Sequence, residues 1–267
     1  MKLYLRDYKE LTNDEKSQFN SLKSQEIVSE SGNLQIKRLI SYPKFFRHHT
    51  SLFPNNYLDI VDLDKTGELN DKLISFKALL NIENVKELDI LRFINNKEDH
   101  AYFIIASLLR KYFNFRDSVH LFPEFQLGTT SRADYLIIGQ NSGGYEFVFV
   151  ELEAPKGRIT HKNGDLGAVF DKGVKQVESW RSWLERNFSL LQETFNRSKL
   201  PANALPDEFI KTDQPRIHFV VIAGRRDDFD ERTYEIRRRE KKDKNFWLLH
   251  YDNLIDAATD VITNKSY

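Results

Sequence analysis

Three acidic residues, Asp134, Glu151 and Glu153, are the part of the sequence best suited to chemistry. Glu151 and Glu153 follow the apolar run Phe147-Val-Phe-Val150, which is typical of a buried strand. Because side chains alternate along a strand, residues two positions apart project from the same face. The pattern therefore predicts two carboxylates on one face where a buried strand reaches the sheet edge, a usual place for a site in α/β proteins.

A turn between two strands would bring the third carboxylate to the same place. The segment Gln140–Gly144 has the composition of a hairpin turn. If the turn is centred between Ser142 and Gly143, Asp134 lies directly opposite Glu151, and directly opposed Cβ atoms are about 4.5–5.5 Å apart. Like charges at that distance destabilise a sheet, whereas hard oxygen ligands at this density suit Mg²⁺ or Mn²⁺.

The residues that follow these carboxylates allow two interpretations. Lys156, Arg158 and Lys162 could position a phosphate group beside a metal without reading bases. Equally, they could form an ordinary solvated loop in which Lys156 and Arg158 pair with the acids of a solvated strand end. On the next predicted helix, Gln176 lies one turn before Trp180, so both side chains can face the sheet. Gln176 could contact a metal-bound water or DNA, or be a polar residue at the edge of the core.

Composition limits the remaining possibilities. The 267 residues include no cysteine, which excludes disulfides, a cysteine nucleophile and thiolate metal sites. Basic and acidic residues are balanced at 40 each; a nucleic-acid coat protein would be basic, but a metal-dependent nuclease binds cations that neutralise its acids locally. No apolar run approaches the roughly 18 residues of a membrane helix, and the start is charged too early for a signal peptide. We therefore expect a soluble cytoplasmic protein.

From residue 96 onward, the pattern predicts one mixed α/β sheet flanked by helices, in the order α-β-β-β-α-β with a β-α appendage. The predicted strands span residues 119–127, 132–138, 145–153, 217–223 and 246–251, and the predicted helices begin near Asn96, Asp165 and Asp252. Glu98 either interacts with the dipole of the first helix or reaches the acid cluster. The stretch Arg225–Lys244 carries both signs of charge, which favours an exposed helix with ion pairs over a DNA-binding surface.

Residues 1–95 are interpreted as a separate, small α+β N-terminal region that regulates or oligomerises the protein. Helical patterns lie near residues 14–24 and 71–80, and loops with brief strands are expected over residues 36–62. No motif that carries chemistry lies in this region. The expected domains are therefore residues 1–95 and residues 96–267.

The second of these domains resembles a known group of enzymes. The array Arg132-Ala-Asp134, Val150-Glu-Leu-Glu153 and Gln176 resembles that of the PD-(D/E)XK nuclease superfamily. The longer texts Val150–Lys156, Ile159–Gly164 and Gln176–Trp180 resemble the nuclease domain of Shedu anti-phage defence proteins, over about residues 96–260. The resemblance implies a restriction-endonuclease-like α/β fold of the PD-(D/E)XK type.

The resemblance also implies roles for individual residues. Asp134 and Glu151 match the two metal-binding acids of the superfamily. Glu153 departs from the pattern, because it stands where the superfamily usually has lysine; some restriction enzymes also carry glutamate there. The positive charge near the attacking water would then come from Lys156, Lys172 or Lys175, or from a second metal.

The expected function is that of a Mg²⁺- or Mn²⁺-dependent endonuclease that hydrolyses phage or plasmid DNA in anti-phage defence. We expect a homo-oligomer, because cutting two strands usually needs two sites. The expected metal ligands are Asp134, Glu151 and Glu153; the catalytic set adds Lys156 and Gln176; and the nucleic-acid contacts are Lys156, Arg158, Lys162 and Lys172. One alternative is a degenerate nuclease fold that binds nucleic-acid ends or senses phage components. Another is an interaction module with an incidental acid cluster.

Overall fold

The computed structural model describes residues 2–26, 41–98, 101–113, 115, 117–129, 131–157, 159–160 and 166–267. Its centre is a five-stranded mixed sheet with the spatial order β1-β2-β3-β4-β5. The strands are β1 (Asp117–Leu127), β2 (Ser131–Asn141), β3 (Gly144–Leu152), β4 (Ile217–Ile222) and β5 (Phe246–Leu249). Strands β1 to β3 pair antiparallel, and β3 to β5 pair parallel. The mixed sheet expected from the sequence is confirmed, with strand bounds within three residues of those predicted.

The hairpin between β2 and β3 has the predicted register. Asn141 lies opposite Gly144, and Tyr135 lies opposite Val150. Gly144 has a φ of 109°, a backbone conformation that side chains disfavour. The next pair along this ladder would be Asp134 and Glu151, so the turn brings these two carboxylates to the same end of the hairpin.

Helices cover both faces of the sheet. They are α1 (Asn13–Glu26), α2 (Lys44–Thr50), α3 (Thr66–Asn81), α4 (Glu87–Ile94), α5 (Phe103–Ala106), α6 (Ala168–Asn187), α7 (Leu191–Ser198), α8 (Glu231–Lys244) and α9 (Tyr251–Asn264). The cap predicted at Asp165 lies outside the described residues. Among the helices that the structure describes, none is long and apolar enough to cross a membrane.

Two predictions of local structure are wrong. The helix expected after Asn96 is only the short α5, followed by a π-helical turn at Leu109–Phe113. Residues 101–109 are all buried, so the apolar spacing did not mark one buried face of a regular helix, and packing on every side sets the backbone. In the described part of the predicted strand region, residues 41–62 form α2 and a short 3₁₀ turn, with a single isolated bridge at Tyr57.

The core lies in two layers, one on each face of the sheet. Val148 and Val150 of β3 face a layer formed with α3, α5 and α9, whereas Phe147 and Phe149 face a layer formed with α6 and α7. This alternation follows from the two-residue repeat of a strand. The first layer includes residues from both sides of position 95, so the N-terminal segment packs directly onto the sheet. The division into two domains stays a prediction.

Candidate active site at the edge of the sheet

Asp134 and Glu151 lie where the β2–β3 hairpin ends. The backbone N–H of Leu152 donates a 2.7 Å hydrogen bond to Asp134 Oδ2. This side-chain contact lies just beyond Tyr135 and Val150, the last backbone pair of the ladder. Glu151 lies on the same face of β3 as Phe147 and Phe149, and its residue surface is only 3% exposed. The hairpin therefore holds a buried carboxylate beside a second one, as its register predicts.

Glu153 is fixed by its backbone and is equally buried. Its N–H donates to the Ile222 carbonyl at 2.8 Å, and its carbonyl accepts a 2.7 Å hydrogen bond from the Tyr251 hydroxyl. The side chain lies against Gly173 of α6, where an added Cβ would be 3.0 Å from Glu153 Cγ. Glu153 is 2% exposed. Because Gly173 has no side chain, the facing helix leaves space for the Glu153 side chain.

Burial and mutual repulsion make the three carboxylates hard to ionise together. Burial, followed by the charges of Asp134 and Glu153, raises the pKa of Glu151. Burial is also the main cause that raises the pKa of Asp134 and of Glu153. Glu151 Oε2 and Glu153 Oε1 are buried without a hydrogen-bond partner. Since an unsatisfied buried acceptor costs about 1–3 kcal/mol, a cation held here would offset both penalties.

The carboxylate oxygens of the cluster suit a hard divalent cation whose remaining ligands are waters and substrate oxygens. Among the described residues, no three carboxylate or imidazole side chains are arranged to hold a metal ion. Mg²⁺, however, is commonly held by one or two carboxylates, with waters and substrate phosphate oxygens completing its shell. The two unpartnered oxygens of Glu151 and Glu153, with Asp134 beside them, suit that mode.

Lys172 of α6 is the cation that reaches the cluster. Its Nζ donates to Glu153 Oε2 at 2.8 Å and to Glu87 Oε2 at 3.2 Å. Of the three lysines considered from the sequence, Lys175 instead pairs with Asp171 at 2.6 Å on the same helix. Lys156 is exposed in the loop after β3 and is not among the described residues that line the adjacent cleft. The geometry thus singles out Lys172.

Glu87 is a site residue that the sequence did not reveal. It is the first residue of α4 and acts on the pKa values of Asp134, Glu151 and Glu153. In the sequence it resembles any acid in the first turn of a helix, and no local pattern links it to residue 153. Glu98 instead lies before α5 and lines a separate cavity of about 370 Å³.

An open cleft of about 680 Å³ adjoins the cluster. Gln176 and Trp180 of α6 line it, and Trp180 is 1% exposed. The basic residues that line the cleft are Arg132, Lys172 and Lys175. Arg132 is a second residue that the sequence reasoning missed as a contact. The predicted contacts Arg158 and Lys162 lie outside the described residues.

The charged stretch after β4 forms ion pairs, as the sequence favoured. On α8, Arg232 pairs with Glu235 at 2.7 Å and Lys244 with Glu240 at 3.0 Å. Arg225, just before this helix, pairs with Asp252 at 2.7 Å. These cations are therefore engaged with acids of the same chain.

The fold and site define a mixed α/β protein with a buried carboxylate cluster at the sheet edge, next to a cation-lined cleft. The chain matches the family described as Shedu protein SduA, C-terminal, over residues 41–255. Because the match spans well over half of the chain, the protein belongs to this family, and the resemblance to Shedu proteins expected from the sequence is confirmed. The match begins at residue 41 rather than near 96, so it includes Glu87. Among curated proteins, none matches the chain. Membership suggests a role in anti-phage defence.

Proposed function

We propose that this protein is a metal-dependent endonuclease of the PD-(D/E)XK type that hydrolyses DNA phosphodiester bonds in anti-phage defence. The observation that carries the proposal is the pair of buried, unpartnered carboxylate oxygens on Glu151 and Glu153, beside Asp134. The antiparallel hairpin followed by helices and a parallel strand supports this fold type. Membership of the Shedu family supports the defence role.

Each residue of the cluster has a role that its environment suits. Asp134 and Glu151 hold Mg²⁺ or Mn²⁺, with Glu153 as a further ligand or as the base that accepts a proton from the attacking water. A cation held there supplies Lewis acidity toward a phosphate oxygen and makes a bound water more acidic. Burial raises the pKa of Glu153, which favours proton acceptance by this side chain. Lys172 stabilises the extra negative charge that develops on the phosphorus centre.

The cleft supplies a surface for the nucleic-acid backbone. Lys172 and Arg132 line the same open groove as Gln176, and Arg132 also pairs with the exposed Glu124 at 2.9 Å. Contacts of this kind hold phosphates without reading bases. Lys156 is proposed to extend this contact, as are Arg158 and Lys162 on the basis of the sequence alone, and two protomers of a homo-oligomer would cut the two strands.

Cleavage of supercoiled and linear plasmid with Mg²⁺ and then Mn²⁺ tests the proposal. We expect Asp134→Asn and Glu151→Gln to lower the cleavage rate by at least about 100-fold. Glu235→Gln on the exposed face of α8 is the matched loss of one acid and is expected to cleave normally. Equal cleavage by wild type and both cluster variants would overturn the assignment.

A degenerate site is the second candidate, and the glutamate at position 153 favours it. In that case the protein binds DNA ends or senses phage components without cutting. Calorimetric titration with Mn²⁺ separates the two candidates, because an inactive binder has no need of a hard-cation site. DNA binding that falls steeply with salt, together with no metal binding and no cleavage, would favour the degenerate site.

A further inference from the structure

Lys172 is the point where the segment before the sheet meets the acid cluster. Its ammonium group contacts two carboxylates, Glu153 Oε2 at 2.8 Å and Glu87 Oε2 at 3.2 Å. These contacts differ in burial, because the Glu153 side chain is 3% exposed and that of Glu87 is 32% exposed. Glu153 is therefore the buried partner of Lys172, and Glu87 is its solvent-facing partner.

Helix α4, which carries Glu87, is fixed at both ends. At its start, the Lys86 N–H donates to Asp89 Oδ2 at 2.9 Å. At its end, Asn95 Oδ1 accepts a 2.9 Å hydrogen bond from the hydroxyl of Tyr135, the neighbour of Asp134 on β2. The Glu87 carboxylate is therefore presented from a helix that is tied to the same hairpin as the acids.

A lysine at this position needs such support. The lysine side chain is a flexible four-carbon chain that ends in a strongly hydrated point charge, and 58% of the Lys172 side chain is exposed. A single ion pair at a surface fixes such a chain weakly. Two simultaneous carboxylate contacts restrict the ammonium group more than one does, and both use Oε2 atoms, so Glu153 Oε1 stays without a partner.

We propose that Glu87 is a positioning residue, which holds Lys172 against Glu153 so that the lysine charge stands at the reacting phosphate. The inference rests on the proposed nuclease function and adds a part of the site that lies outside the predicted nuclease domain. Glu87 acts through Lys172 and contacts neither the metal nor the substrate.

A double-mutant cycle on steady-state cleavage tests this dependence. Lys172→Ala is expected to lower kcat about 100-fold, as the loss of a charge-stabilising group does. Glu87→Ala is expected to lower kcat about tenfold with KM for DNA unchanged, as the loss of a supporting partner does. The double variant is expected to be no slower than Lys172→Ala. If the double variant loses kcat by the product of the two single losses, Glu87 acts independently of Lys172 and the proposal is overturned.

Conservative variants separate positioning from metal ligation. Glu87→Gln keeps an oxygen that accepts a hydrogen bond from Lys172, so it is expected to recover most of the activity that Glu87→Ala loses. Failure of the glutamine to recover activity would identify the charge of Glu87 as the essential property and overturn the positioning role. Glu98→Ala, in the separate cavity, is the matched control, and thermal unfolding verifies that each variant is folded.

A measurement without cleavage distinguishes failure of this inference from failure of the proposed function. Labelling of lysines by an amine-reactive ester, followed by mass spectrometry, compares Lys172 with Lys175 one turn along the same helix. Glu87→Ala is expected to speed labelling of Lys172 several-fold and leave Lys175 unchanged. An unchanged Lys172 overturns the contact. Faster labelling in a protein that never cuts DNA shows that the contact exists and that the nuclease role fails, and with it the positioning role.

Discussion

Two buried groups of charged residues in this protein are compensated in different ways. In the first, Asp59 accepts hydrogen bonds from Arg47 Nη2 at 2.8 Å and from the Val61 N–H at 3.2 Å, and both charged side chains are almost fully buried. In the second, Glu151 and Glu153 each keep a buried oxygen without a partner. The Asp59 carboxylate has its charged partner within the chain, although the neighbouring His48 Nε2 is buried without a hydrogen bond, and we call these residues the complete group. The carboxylate cluster of Asp134, Glu151 and Glu153 includes two unpartnered oxygens that a cation from outside would satisfy, and we call it the incomplete group.

This difference explains why burial alone does not identify a functional site. Both groups are buried carboxylates within aromatic or apolar surroundings, and Asp59 is even less accessible than Glu151. An ion pair whose partners satisfy each other serves the fold. A carboxylate whose neighbours are other carboxylates costs free energy when ionised, and such a cost persists where function uses it. The following predictions test this distinction, beginning with the largest effect.

Removing the cation of the complete group is expected to have the largest effect on stability. Arg47→Ala leaves the Asp59 carboxylate buried and without its main partner, which costs about 3–5 kcal/mol of unfolding free energy. Urea unfolding measures this loss of unfolding free energy. Arg232→Ala, in an exposed pair on α8, is the matched control and is expected to cost less than about 1 kcal/mol. A loss of similar size in both variants would contradict the distinction between buried and exposed pairs.

The two groups are expected to respond to pH in opposite directions. His48 stacks on Tyr8, and its Nε2 lies 3.6 Å from Asp59 Oδ2; burial lowers its pKa to about 4. Since an unfolded histidine titrates near 6.5, this contribution of about 3 kcal/mol is present above that pH and is lost as the pH falls toward 4. The pKa of Asp134 is raised by burial, so its protonated form stabilises the fold at low pH, and that stability is lost as the pH rises above about 4.

Urea unfolding at a series of pH values between 4 and 8 separates these contributions. His48→Asn is expected to remove the part of the profile that rises with pH. Asp134→Asn is expected to remove the part that falls with pH. If the unfolding free energy of both variants depends on pH as it does in the wild type, neither His48 nor Asp134 contributes the proposed pH dependence.

Neutralising one acid of the incomplete group is expected to stabilise the metal-free protein. Burial, followed by the charge of Asp134, raises the pKa of Glu151 to about 10, so folding at neutral pH must protonate this carboxyl. Glu151→Gln removes that cost, with an expected gain of about 1 kcal/mol. The wild type is expected to gain Tm on addition of Mg²⁺, because ligand-linked stabilisation requires binding to the folded state, and Glu151→Gln is expected to abolish that gain. A destabilised variant that still responds to Mg²⁺ would place the cation elsewhere.

The sequence was informative where the contacts are local along the chain. The hairpin register follows from the turn residues and strand alternation, so the proximity of Asp134 and Glu151 could be predicted. Glu153 and Gln176 likewise lie on elements whose periodicity is clear. The register of one hairpin and the periodicity of one helix are enough to place these residues.

The contribution of Glu87 could not be predicted, because it depends on how distant segments pack. Glu87 and Lys172 are 85 positions apart, and their meeting depends on how α4 and α6 pack on the sheet. The same cause explains the failed helix after Asn96: residues 101–109 are buried on every side, and their backbone adapts to neighbours that a periodicity argument cannot include. The resemblance was also expected to start near residue 96, although the family match begins at 41.

The smallest effect is expected at the exposed pair that lies one turn from the incomplete group. Lys175 and Asp171 are 2.6 Å apart, with 71% and 45% of their side chains exposed. Water screens such a pair, and pairs four residues apart on a helix contribute about 0.3–0.5 kcal/mol. Asp171→Ala should therefore change the unfolding free energy by less than about 0.5 kcal/mol and leave Lys172 in place. A larger loss would mean that Asp171 belongs to the network of Glu153 and Lys172, so that the incomplete group extends farther along α6 than its contacts indicate.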